Sequence, residues 1–259
     1  MRLTGKTVFI CDSASLSGRA IAEKCNAEGA YVVRNMPCME DGSDKSTLEN
    51  PLRCSFQSEE EIEKTICYLL EQTNGLDALV VNFACVFPCS IENVTIEQFD
   101  KNYNYIIKPS FKAIQKLGEV IAKTSPHGKI VVVGSIHSEK PTGSALLYSC
   151  SMGALKNLSR ETALFYGYQG IDTIYIDVGY IKGDEDSFKS QISTFYEGVK
   201  YKIPSGYIGS FADVAAAISW ILSDECRYMN GAEIRIDGGL VLHILDAKRN
   251  YEIIHNKGG

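Results

Sequence analysis

Six short apolar runs, each separated from the next by a stretch of helical spacing, constrain this chain more than any other feature. The runs are TVFIC (7–11), AYVV (30–33), DALVVNF (77–83), KIVVVG (129–134), DTIYIDV (172–178) and AEIRID (232–237). They are continuous rather than alternating, so both faces of each strand need cover, which an antiparallel sheet with one wet face does not provide. Between them lie IAEKCNAEG, EEEIEKTICYLLEQ, a long segment from Thr95 to Lys123, and SMGALKNLSRETALFYG, all with apolar residues at helical intervals. Strand followed by helix, repeated, predicts a doubly wound α/β domain: a parallel sheet with helices on both faces. The 259 residues fit one such domain, 1–259, without a second core.

Three stretches fall outside that rhythm. The polar, turn-rich residues 36–51 read as a loop. Residues 183–207 follow the carboxyl end of a strand, where ligands of such sheets bind, and are a candidate substrate lid with a short helix around SFKSQISTFYEG. Residues 240–259 form a tail with enough apolar side chains to dock, a neighbouring subunit being one place for it.

Composition excludes several classes of function. With 26 basic against 32 acidic residues the formal charge is −6, and no basic run offers a track for nucleic-acid phosphates. No apolar run reaches bilayer-spanning length and the start, MRLTGKTVFI, has too short an apolar core for a signal peptide, so the expected location is the cytosol. Nine cysteines, odd in number and without CxxC pairs, read as reduced and mostly buried thiols. Cys85, Cys89 and His137 lack metal-ligand spacing, and no metal site is expected.

The stretch YSCSM, 148–152, carries the chemical question. A tyrosine followed four residues later by a lysine places a phenol and an ammonium one helical turn apart, ready for acid/base work. Here the fourth residue is Met152. The order of the other landmarks resembles the short-chain dehydrogenase/reductase family over nearly the whole chain: a glycine-type loop at 7–18, VNFA at 81–84, VVVGS at 131–135, Tyr148, DVGYIKG at 177–183 and MNGAEIRIDGG at 229–239. Ser135 stands 13 residues before Tyr148, the spacing of the family's catalytic serine and tyrosine. The resemblance implies a Rossmann-type fold and hydride transfer between a nicotinamide cofactor and a carbonyl or hydroxyl carbon. It also implies a lysine that tunes the tyrosine and holds the cofactor's ribose, and an asparagine that anchors a proton-relay water.

Set against that pattern, the losses cluster. The phosphate loop reads CDSASLSG (11–18), with Asp12 and Leu16 at the first two glycine positions and only Gly18 kept. Those glycines let backbone approach a pyrophosphate, and Asp12 brings negative charge towards it. No carboxylate stands near Met36 to select a ribose; Arg34 or Arg53 either meets a 2′-phosphate, which would tilt any residual binding towards NADP, or, as the simpler reading, is a solvated or strand-edge arginine. Ser55 takes the place of the family's adenine-side aspartate. Of the NNAG motif Asn82 survives, and of the later cofactor loop Gly179, with Val178 for proline and Gly183 for threonine. Ile106 falls at the asparagine position and Pro109 should kink the helix beside it. A free tyrosine has a pKa near 10, so about one in a thousand is phenolate at neutral pH without a tuning cation. Lys156, one turn beyond Met152, leans back towards it as a stand-in, or is simply a solvated lysine.

Three functions compete. The first is a non-catalytic or weakly active subunit with no cofactor, pairing as a homo-oligomer or with a paralogous active dehydrogenase; it predicts a crevice filled by Leu16, Phe83, Ile106 and Met152. The second is a divergent NADP-preferring oxidoreductase of small carbonyl or alcohol substrates, using Tyr148 and Ser135 in an open crevice, with NAD as the other cofactor in play. The third is cofactor-free binding or chemistry in that crevice, lined by Tyr148, Ser135, His137 and the lid, although His137 by itself reads as a surface-loop histidine. No nucleic acid or membrane partner is expected.

Overall fold

A computed structural model of the chain describes residues 1–37, 52–86, 88–182 and 202–242. Among these residues six strands form one sheet: β1 (Thr7–Ile10), β2 (Tyr31–Arg34), β3 (Ala78–Val81), β4 (Gly128–Ser135), β5 (Ile171–Val178) and β6 (Glu233–Ile236). Their order is β2-β1-β3-β4-β5-β6 and every pairing is parallel. Among the described residues six α-helices cover it: α1 (Leu16–Ala27), α2 (Glu59–Gln72), α3 (Ile96–Asn102), α4 (Lys108–Thr124), α5 (Leu146–Gly167) and α6 (Phe211–Ile221). The expected architecture and strand positions hold, with ends moved by a residue or two. Among the described residues no helix is long and apolar enough to cross a membrane.

The continuous apolar runs have a direct physical cause, because successive strand residues point to opposite faces and both faces are dry. Phe9, Leu79, Val81, Ile130, Val132 and Tyr175 pack with α2, α4 and α5 in one core. Their neighbours Val8, Ile10, Val80, Val131, Ile174 and Ile176 pack with α1 and α6 in the other. The chain reverses its winding between β1 and β3, which lie side by side. A crevice therefore opens beyond their carboxyl ends, as it does in doubly wound sheets generally.

The segment from Thr95 to Lys123 is not one helix. Thr95 and Gln98 form a capping box for α3, and residues Tyr103–Ile107 then widen into a single π turn before α4 begins. Pro109, the second residue of α4, has no N–H for the carbonyl four residues back and its ring crowds that carbonyl. The ladder accordingly slips by one, and Lys108 N donates to Tyr103 O. The expected kink is thus a π bulge, at Ile106.

The 36–51 loop expectation falls mostly outside the described residues, as does the lid except for 202–207 and the tail except for 240–242. Of the eight described cysteines, all free, Cys11, Cys25, Cys54, Cys89 and Cys226 are buried, Cys85 is half-buried, and Cys67 and Cys150 are exposed. Cys85, Cys89 and His137 do not form a ligand group among the described residues.

Candidate functional site

The loop between β1 and α1 is folded around its own carboxylate. Asp12 Oδ1 accepts from Ala14 N at 3.1 Å and from Ser15 N at 3.2 Å, so two backbone donors of the loop are spent on an internal anion. Asn82 pins the same residue from β3, its Oδ1 accepting from Asp12 N and its Nδ2 donating to Asp12 O at 2.6 Å. Ser15 caps α1 through Gly18 N. Asp12 is only 7% exposed, and burial raises its carboxyl above the ordinary value, opposed in part by the hydrogen bonds from Ser15 and Ala14. Gly18 is a packing requirement: a Cβ there would lie 1.8 Å from Asp12 O.

The adenine-side positions are also engaged from within. Asn35, fully buried at the end of β2, donates to the carbonyls of Cys11 and Cys54 and accepts from Cys54 N, tying three chain segments together. Ser55 donates from both its N and its Oγ to the carboxylate of Glu61, at 2.5 and 2.7 Å. Neither Ser55 nor Gly18 lines the crevice; Asn82 and Gly179 do. Gly179 is kept by a close approach, because a Cβ there would meet Asp237 Cβ at 2.6 Å.

The lysine position is sealed. Met152 and Ile106 are fully buried and Phe83 is 1% exposed, all three in the core under α4 and α5. The hydroxyl of Tyr175 donates to Met152 O at 3.1 Å, and its ring lies so close to β4 that a Cβ on Gly134 would be 1.9 Å from that oxygen. Ser110 Oγ donates to Ile106 O at 2.6 Å. The carbonyl of the bulged turn therefore already accepts one hydrogen bond, and the side chain at this position offers no polar anchor for a relay.

Lys156 does not lie in solvent, which corrects that expectation, and its ammonium is turned to carboxylates rather than left open at the Met152 position. Its ammonium is buried among Glu139 (2.5 Å), Glu233 (2.9 Å) and Asp177 (3.1 Å) and stands 5.6 Å over the Tyr175 ring. Burial alone would lower its pKa, but the three carboxylates more than offset that and hold it above the ordinary lysine value. Helical leaning towards the N-terminus was the wrong guide, since three negative charges outweigh a rotamer preference. The three carboxylates, within 4.8 Å of one another, enclose this ammonium.

What remains is an open cavity of about 410 Å³ at the carboxyl ends of β1, β3, β4 and β5. It holds Ser135, His137 and Tyr148 together, with Leu16 on its rim, 52% exposed. The expected plug of Leu16, Phe83, Ile106 and Met152 does not form, because the last three turn into the core rather than the crevice. Apolar Val133, Val178, Phe211 and Val214 supply much of the wall, and none of the described lining residues is Asp, Glu, Lys or Arg. His137 is 5% exposed, which corrects the surface-loop expectation. The short 3₁₀ turn after β4, Ile136–Ser138, draws it inward, and Ser135 Oγ caps that turn by accepting from His137 N at 3.3 Å. Its Nδ1 lies 3.3 Å from Ser149 Oγ, its ring stands edge-on to Tyr148 with centroids 5.3 Å apart, and burial lowers its pKa.

Sequence reasoning passed over Tyr175, Asn35 and Glu61. Tyr175 carried a signal, a bulky aromatic whose strand parity aims it at the α5 face. Glu61 carried a weaker one, as the third residue of α2 with Ser55 six residues before it. Asn35 gave none.

The family model for enoyl-(acyl carrier protein) reductase matches residues 14–241. Glucose 1-dehydrogenase 2 of Bacillus subtilis is 28% identical over 252 residues, covering 93% of this chain and 96% of that protein. Among solved structures, a short-chain dehydrogenase/reductase from Serratia marcescens superposes with a TM-score of 0.78 at 21% identity, covering 93% and 99% of the two chains. A gluconate 5-dehydrogenase from Burkholderia cenocepacia, solved with NADP and tartrate, gives a TM-score of 0.83 at 19% identity and covers 94% and 98%. The order of strands, the crevice at their carboxyl ends and the matched residues 14–241 lead to one conclusion: this chain belongs to the short-chain dehydrogenase/reductase family of oxidoreductases.

Proposed function

We propose that this chain is an oxidoreductase-family subunit that does not transfer hydride on its own and acts within an assembly, paired with a second copy or with an active dehydrogenase of the same fold. One observation carries the reading, against an open crevice that it did not predict: Met152, at the lysine position, is sealed in the core, while Lys156, the next lysine along α5, is committed to three carboxylates. The donor set supports it. A nicotinamide dinucleotide carries at least two phosphate charges, yet the crevice offers no described cation, and Asp12 has taken two loop donors. Both features weigh against a bound dinucleotide. The surface supports assembly, with Leu164, Phe165 and Tyr168 on and just after α5 exposed at 68%, 66% and 98%, and Phe111 on α4 at 45%. Large apolar groups clustered in the open mark a contact face.

The test is a titration of the purified protein with NAD(H) and NADP(H), followed by nicotinamide fluorescence and thermal shift, alongside its mass by light scattering. No saturable dinucleotide binding and a dimer or larger are expected. Micromolar NADP binding would favour the second reading, a divergent NADP-preferring reductase, which draws its support from the open cavity holding Ser135 and Tyr148.

A further inference from the structure

The end of the sheet opposite the crevice carries a second cleft. It measures about 250 Å³ and lies at the amino ends of β4 and β5, where the turn after α6 meets them. The eight residues of β4 put roughly 23 Å between this cleft and the crevice. Lys129 and Asp172 are partners in the β4–β5 register and share strand parity with Val131 and Ile174, which face α1 and α6. A lysine on a face that is otherwise core has to find polar partners. Its Nζ donates to Asp172 Oδ2 at 2.6 Å and to Cys226 O at 2.6 Å, and the residue is 6% exposed. An ammonium has three hydrogens, so among the described residues one stays uncommitted, held between two residues of the cleft wall.

The charges around the cleft do not cancel. Asp172 is matched by Lys129, and Asp224 by Lys6 at 2.8 Å. Arg227 is left over, with no hydrogen bond or ion pair among the described residues, and His127 stands on the same wall. With histidine counted as neutral, the surplus is one positive charge. That suits a ligand with one negative charge and not two: a phosphate monoester, carrying about −1.5 to −2 at pH 7, would set its second charge against the two aspartates.

Tyr228 supplies a second kind of contact. Its side chain is fully exposed and its backbone is held at φ 62°, a left-handed conformation that is costly for a bulky residue. A strained aromatic left in solvent adds little to the fold, and on the wall of a cleft it offers a flat apolar surface to another ring. The volume lies below the usual range of drug-sized pockets, which leaves room for one ring and its acid group and none for a nucleotide. We infer that this cleft binds a small aromatic monocarboxylate, its carboxylate received by Lys129 Nζ and Arg227 and its ring laid on Tyr228. The site stands apart from the crevice, so it holds whether or not the chain transfers hydride.

The experiment titrates the full chain with benzoate, benzyl alcohol and phenyl phosphate at neutral pH, read by saturation-transfer NMR and calorimetry. Benzoate should bind saturably and at least tenfold more tightly than either of the others. Arg227→Ala and Tyr228→Ala, both at exposed positions, should each weaken it at least fivefold with little change in the thermal melt. Lys129→Met by itself would leave Asp172 unpaired, so it is combined with Asp172→Asn; the double variant, shown to be folded by its melt, should lose benzoate binding. Leu16→Ala, at the rim of the crevice, should leave binding unchanged. No saturable benzoate binding, equal affinity for benzyl alcohol or phenyl phosphate, or affinity unchanged by Arg227→Ala and Tyr228→Ala would overturn the inference. A loss confined to Leu16→Ala would put the ligand in the crevice and overturn it as well.

Discussion

Lys156 Nζ lies 3.1 Å from Asp177 Oδ2, and the other oxygen of the same carboxylate accepts from Ser138 Oγ at 2.9 Å. This one aspartate thereby joins α5 to the 3₁₀ turn that carries His137. Glu139, at the end of that turn, binds Lys156 and Arg235, and Glu233 binds Lys156 and Arg160. The network therefore fixes the polar end of the cavity from behind.

Lys156→Met should be strongly destabilising, because it leaves the buried Asp177 carboxylate without its counter-charge; removal of one partner of a buried pair costs about 3–5 kcal/mol. The lysine is raised, so its stabilisation is present below the ordinary value of 10.5 and is lost as pH climbs through the folded value. Glu139 is lowered by its hydrogen bond from Lys156, and Glu233 is lowered because Lys156 and Arg160 outweigh the effect of burial. Their share is present above 4.5 and is lost as pH falls through their folded values. Urea melts of both proteins should show the widest gap between about pH 5 and pH 10, narrowing on either side. A pH-independent gap would count against the network.

Asp12→Asn keeps the acceptor for Ala14 N and Ser15 N and removes the charge. A carboxyl raised by burial contributes stability below its ordinary value of 3.8 that is lost as pH rises through its folded value. The ionised form is thus a cost at neutral pH, and the variant should melt higher than the parent at pH 7 and lose that advantage below pH 3.8. Differential scanning calorimetry across that range decides it.

Met152→Lys, the change that would rebuild the family's pairing with Tyr148, should not restore turnover by itself. It drives an ammonium into a fully buried site in the core that also holds Ile106, Phe83 and Tyr175. An uncompensated buried charge costs roughly 3–5 kcal/mol. The expected outcome is a lower urea midpoint and no NADPH oxidation with a small ketone; recovered oxidation would contradict the account given of the sealed position.

On the proposed assembly through this face, Leu164→Glu together with Phe165→Glu should give monomers without lowering the melting temperature of the fold by more than a few degrees, since both side chains are exposed on α5. Light scattering gives the mass. An unchanged oligomer would move the contact face elsewhere.

The doubly wound fold was legible because its cause is local and repeated: continuous apolar runs such as KIVVVG bury both parities of residue, and only a sheet covered on both faces satisfies them. The absence of lysine at Met152, asparagine at Ile106 and glycine at Asp12 could likewise be read directly. What the sequence did not determine was where the replacing side chains go. The choice between crevice and core for Phe83 and Ile106, and between Met152 and three acidic residues for Lys156, depends on groups up to 77 positions away, Glu233 among them. The inward turn of His137 depends on Ser149 from the next helix. Those decisions belong to the tertiary structure, because long-range charge and packing outweigh the preferences of a side chain on its own element.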